Sequence, residues 1–217
     1  MCVKKVGRII GIGTVMIFLS SVTTCSTVPP RETRDTKEIH KIPFRAGLYI
    51  SPDFLNYTYK KSAETGDGRK FVTTACEVGE FLRNGSERLV RNIFQEAIIL
   101  SSKDDAKTQN VDVVLSPEIQ SVDVVKPLLT GGGWPLPEPH IKALFITKWT
   151  VTDQNGIVKW VGTYEGEGKV GTGSSLLLYW FTGGKKSCEC VQLAIEDQFG
   201  KALEGITSSN WWVTNNK

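Results

Sequence analysis

The chain is poor in histidine: 217 residues contain two, His40 and His140. Neither shares ligand spacing with a cysteine or carboxylate, so no metal is expected. No nucleophile-elbow pattern surrounds Ser174 or Ser175, and no catalytic residue can be named. Long apolar runs are also missing. Ile9 to Leu19, broken by two glycines and a threonine, falls short of the roughly 20 apolar residues that span a bilayer. An excess of one charge is missing too. Of 26 basic residues, Lys4, Lys5 and Arg8 stand in the first 24 positions, where none of the 23 acidic residues lies. Residues 25–217 therefore carry balanced charge, and the formal net charge of +3 marks no nucleic-acid surface. Cysteines are few, five in all, and irregularly spaced, which excludes a zinc pattern or a dense disulfide framework.

What is present begins with an export signal over residues 1–24. A basic start, an apolar stretch and the small residues Ser20 to Thr24 lead into Cys25. Val22-Thr23-Thr24-Cys25 resembles the lipobox of bacterial lipoproteins, in which the cysteine receives the lipid. The resemblance implies a membrane anchor through acylated Cys25. Ser26 follows instead of the aspartate associated with inner-membrane retention, which implies an outer-membrane lipoprotein facing the periplasm. Residues 25–43 are polar, with prolines at Pro29, Pro30 and Pro43, and are expected to form a flexible tether. In an oxidising periplasm one disulfide among Cys76, Cys188 and Cys190 is expected, with one thiol left over; Cys76 could meet either of the other two.

Residues 44–217 are expected to form a single α+β domain. Its sheet, antiparallel or mixed, has about four to five strands, with two helices packed on one face. Gly47 to Ser51, Lys70 to Val78, Val111 to Leu115 and, after an interruption at Pro117, Ile119 to Val125 read as strands, and Asp53 to Asp67 as a loop. Leu82, Leu89, Ile93, Ala97 and Leu100 recur at helical spacing, predicting one helix over Gly79 to Ser101, with Gly85 held against a strand. Ile141 to Val151 alternates and returns through Asn155-Gly156 into Ile157 to Glu165, a hairpin with Trp149 and Trp160 buried. Val191, Ile195, Ala202 and Ile206 predict a second helix over Cys188 to Ile206.

The segment Trp149-Thr150-Val151-Thr152-Asp153-Gln154-Asn155-Gly156, followed by Val158-Lys159-Trp160 and Tyr164, resembles a group of bacterial envelope lipoproteins. Their α+β domain is related to the anticodon-binding-domain-like fold. LPS-assembly lipoproteins and the curli-export lipoprotein are examples. The resemblance implies a structural or protein-binding role in envelope assembly or secretion, with an envelope protein as partner and no cofactor. The alternative is a periplasmic enzyme acting on envelope material through residues the sequence does not mark.

Gly166-Glu167-Gly168-Lys169-Val170-Gly171 matches a dinucleotide-binding glycine pattern, but no following parallel strand completes that context. No nucleotide is expected, and the glycines read as a flexible turn after the hairpin. Glu165 and Glu167 share a strand face and are expected in solvent. Leu176 to Phe181 is six consecutive apolar residues between glycine-rich flanks, read either as a short buried segment leading into the last helix or as a hinged insertion that docks a partner or touches the membrane. Leu177, Trp180 and Phe181 are the candidate partner-binding residues.

Overall fold

A computed structural model describes residues 41–64, 70–125, 140–171 and 176–213, with backbone only over 62–64, 70–73 and 176–184. The signal, Cys25 and the tether as far as His40 lie outside the described residues.

The alternating segments build a mixed five-stranded sheet. β1 (Ile42–Tyr49) lies between β4 (Phe94–Leu100) and β5 (Val113–Val125), parallel to both. β6 (His140–Asp153) and β7 (Val158–Gly171) follow antiparallel, giving the order β4-β1-β5-β6-β7. A separate hairpin joins β2 (Thr58–Glu64) to β3 (Lys70–Glu77). Two long helices, α2 (Gly79–Ile93) and α4 (Leu176–Ser208), cover one face of the sheet and touch each other. Two four-residue helices, α1 (Pro52–Leu55) and α3 (Asp105–Thr108), complete the described elements.

The covered face holds the main core. Ile141, Ala143, Phe145, Trp149 and Val151 alternate inward along β6 and meet Val191, Ile195, Phe199, Ala202 and Ile206 from α4. Trp149 is fully buried, edge-on to Phe199 at 6.2 Å. Trp160 is only half-buried; near the outer rim of β7 it stacks on Tyr164 at 6.2 Å. The hairpin turn runs from Gln154 to Ile157, and Gly156 alone in it takes a positive φ, +81°. Asp153 closes it, its Oδ1 accepting from the Asn155 and Ile157 amides. Those two amides and the Lys159 ammonium outweigh burial and hold the Asp153 carboxyl below its usual range.

Three sequence expectations are corrected. The helix expected over Gly79 to Ser101 stops at Ile93. Phe94 is already extended, and Ala97 and Leu100 belong to β4, where Ala97 pairs with Ala46. A stripe at spacings of three, four and seven cannot distinguish a helix from a helix followed by a strand; pairing with β1 decides. Gly85 packs against Phe199 of α4, a helix and not a strand. The loop expected over Asp53 to Asp67 contains α1 and β2, whose polar Lys60-Lys61-Ser62 run gives no apolar alternation.

Pro117 does not break β5. β1 pairs with β5 only as far as Leu115, so at Pro117 the sheet has lost its neighbour on that side, and the residue pairs only with Trp149. A missing N–H is tolerated on such an edge.

The disulfide expected in this chain forms between Cys76 and Cys188, whose Cα atoms are 5.4 Å apart. It ties β3 to α4 across 112 residues. Cys190 is the remaining thiol. It is buried, donates toward the Ile141 and Gly168 carbonyls, and is pushed up to about 11 by desolvation. Closing a loop of this length contributes about 4–5 kcal/mol in the chain-entropy picture. Urea unfolding with and without reductant should differ by about that amount. The native oxidised protein should resist a thiol reagent at pH 8, and a reactive thiol there would contradict the buried Cys190.

Candidate functional site

The glycine-rich segment is the first place to look. Gly166 to Gly171 is not a turn: it lies inside β7, paired with His140 to Phe145. A Cβ on Gly166 would strike the Ala194 carbonyl and the Gln198 amide of α4, and one on Gly168 would strike the Cys190 carbonyl. These glycines let the helix backbone rest directly on the strand. Side chains of α4 also reach the rim of β7. Lys201 donates to the Glu165 carbonyl at 2.9 Å, Asp197 accepts from the Glu167 amide at 2.9 Å, and Lys186 donates to the Gly171 carbonyl at 2.8 Å. The side chains of Glu165 and Glu167 are exposed, the latter paired with Lys169 at 3.0 Å. The segment is a helix seat, and its chemistry is packing.

The candidate partner-binding residues fall on α4. Leu176 to Phe181 is therefore no hinged insertion but the first turns of a 33-residue helix. Leu177, Trp180 and Phe181 stand at i, i+3 and i+4, the spacing of one helix side; their side chains are not among those described. Lys186 is level with Gly171, the last residue of β7. Leu176 to Lys185 thus carries the helix axis about 15 Å further, past this end of the five-stranded sheet.

The sequence did not mark a cleft of about 590 Å³ where β1 ends and β5 runs on. Tyr49, Phe54, Tyr57 and Pro117 line it, with Asp53, Lys103 and Glu118 also on its walls. Lys103 Nζ lies 5.5 Å over the Tyr49 ring, and burial raises the Tyr57 phenol above its usual pKa. No sequence signal could have found it, because its walls come from segments some 60 positions apart that only the strand order brings together. Its polar groups can orient a ligand by hydrogen bonds; they include no nucleophile paired to a histidine. His140 is exposed at the start of β6, and among the described residues no three His, Cys, Asp or Glu side chains cluster for a metal. Among the same residues no helix is long and apolar enough to cross a membrane.

No family model and no curated protein matches the chain. Among solved structures it is similar to a minor lipoprotein from Acinetobacter baumannii (10% identity, TM-score 0.41, covering 78% of this chain and 95% of that one). It is also similar to a hypothetical protein from Chlamydia trachomatis (12% identity, TM-score 0.42, 79% and 99%). A third is the PelC dodecamer from Paraburkholderia phytofirmans (15% identity, TM-score 0.33, 73% and 95%).

If the glycines are a helix seat, a side chain there acts on stability. Gly168→Val should destabilise by about 1–3 kcal/mol or more, the usual range for overpacking, as read by thermal unfolding. An unchanged melting temperature would mean that the helix does not rest on this strand.

Proposed function

We propose that the protein is a cell-envelope lipoprotein, acylated at Cys25 and held at the outer membrane facing the periplasm. In this reading it works without catalysis, docking an envelope protein partner on the first turns of α4. The observation that carries the reading is the placement of Leu176 to Phe181. Six apolar residues lie on a helix segment that projects past the five-stranded sheet, and a run of this kind requires cover. The lipobox-like Val22-Thr23-Thr24-Cys25 supports the anchor. The Cys76–Cys188 disulfide supports an oxidising compartment outside the cytoplasm. The resemblance of Trp149 to Tyr164 to envelope lipoproteins with an anticodon-binding-domain-like domain points the same way.

Two substitutions separate the parts of this reading. Cys25→Ser should release the protein from membranes or leave its signal uncut; an unchanged mature mass with full membrane retention would remove Cys25 as the anchor. Replacing Leu177, Trp180 and Phe181 together by serine should leave a folded, membrane-bound protein that loses cross-links to its envelope partner. A collapsed melting temperature would return the segment to the core. Unchanged cross-links in a folded variant would end the docking reading.

A further inference from the structure

The end of the domain opposite the start of α4 gathers the start of β1, the β6–β7 turn and the residues that follow α4. β1 begins there, so the chain leading back toward Cys25 emerges at Ile42. Ala46 of β1 pairs with Val113 of β5, which pairs with Asp153 of β6, so the β6–β7 turn lies at the same end of the sheet. With strands about 4.8 Å apart, β1 and β7 are only about 15 Å from each other. The residues that follow α4 arrive there as well, since Trp211 packs on Phe44 at 6.1 Å and on Trp212 at 5.7 Å.

This end exposes apolar side chains from two separate segments. Ile157, Val158 and Val161 are 59%, 56% and 47% exposed on the turn and the start of β7. Val213 is 62% exposed beside the half-buried Trp212. These four account for most of the large apolar residues exposed among the described ones. Aliphatic residues flanked by tryptophan suit the boundary between lipid headgroups and acyl chains.

We infer that this end of the domain rests on the bilayer surface, with Ile157, Val158 and Val213 in the interfacial layer. The inference rests on the reading of Cys25 as the acylated anchor. Tether length selects the lipid surface over other occupants. Sixteen residues separate Cys25 from Ile42, so the near end is never farther from the lipid than a chain of that length can reach. β6 alone is 14 residues long, about 45 Å. For the far end to touch the membrane instead, the tether would have to approach its full extension of about 55 Å. The near end, where the chain toward Cys25 leaves the domain, needs no such extension. The start of α4 then points away from the membrane, toward the periplasm.

The test uses the full-length acylated protein in phosphatidylethanolamine–phosphatidylglycerol vesicles. An environment-sensitive fluorophore is attached at Ile157→Cys, at Val213→Cys, or at Lys185→Cys as the far-end control. The first two residues are largely exposed, and the native cysteines among the described residues are paired or buried, so labelling of the acylated, processed protein should be selective and folding preserved. Vesicle flotation is scored first. Quenching by headgroup-proximal nitroxide lipid should then be several-fold stronger at 157 and 213 than at 185. Adding Val158→Asp should weaken quenching at 213. Protein that floats with vesicles but shows equal or no quenching at 157 and 213 overturns the proposal while leaving the anchor intact. So does shielding of 157 that requires self-association, seen as a concentration-dependent mass in detergent. Failure to float overturns the anchor reading and this inference with it.

Discussion

Contact between α4 and β7 through bare backbone is the constraint on which the rest of the structure depends. An α-helix normally stands about 10 Å from a sheet because side chains intervene. At Gly166 and Gly168 there are none on the strand side, and the helix backbone descends onto the strand. That descent lets Lys201, Asp197 and Lys186 reach backbone groups along the rim of β7, an edge that would otherwise invite another strand. It also buries Cys190 against two carbonyls, and carries Phe199 over Gly85 to join α2 to the same core.

Burial of polar atoms beneath this helix sharpens the constraint. Thr147 and Trp149 of β6 and Gln198 of α4 are fully buried beneath it. Apolar contact along α4 and the Cys76–Cys188 link hold the helix over them.

Legibility in the sequence followed the physics of each element. β6 and the core face of α4 were readable because one face of each is buried along its length, so alternation and helical spacing survive intact. Pro117 in β5 looked like an interruption, since nothing local shows that β1 has already ended beside it. Phe94 to Leu100 was misread because its apolar residues continue the stripe of α2, and only the parallel partner β1 identifies a strand. Gly166 and Gly168 carried a strong local signal whose meaning was tertiary: the sequence shows missing side chains, not the helix that replaces them. Leu176 to Phe181 gave no stripe because all six residues are apolar, so neither period is favoured. The cleft beside β5 is made by strand order alone and was invisible.

The start of α4, with its apolar run, and the start of β1 lie at opposite ends of one continuous helix about 50 Å long. Native-state hydrogen exchange along α4 tests that claim most directly. Amides from Cys190 to Ile206 should open together, with one free energy equal to that of global unfolding and shared with β7. An independent, much cheaper opening of Phe199 to Ile206, with Gly166 and Gly168 still protected, would contradict a helix seated on the glycine face.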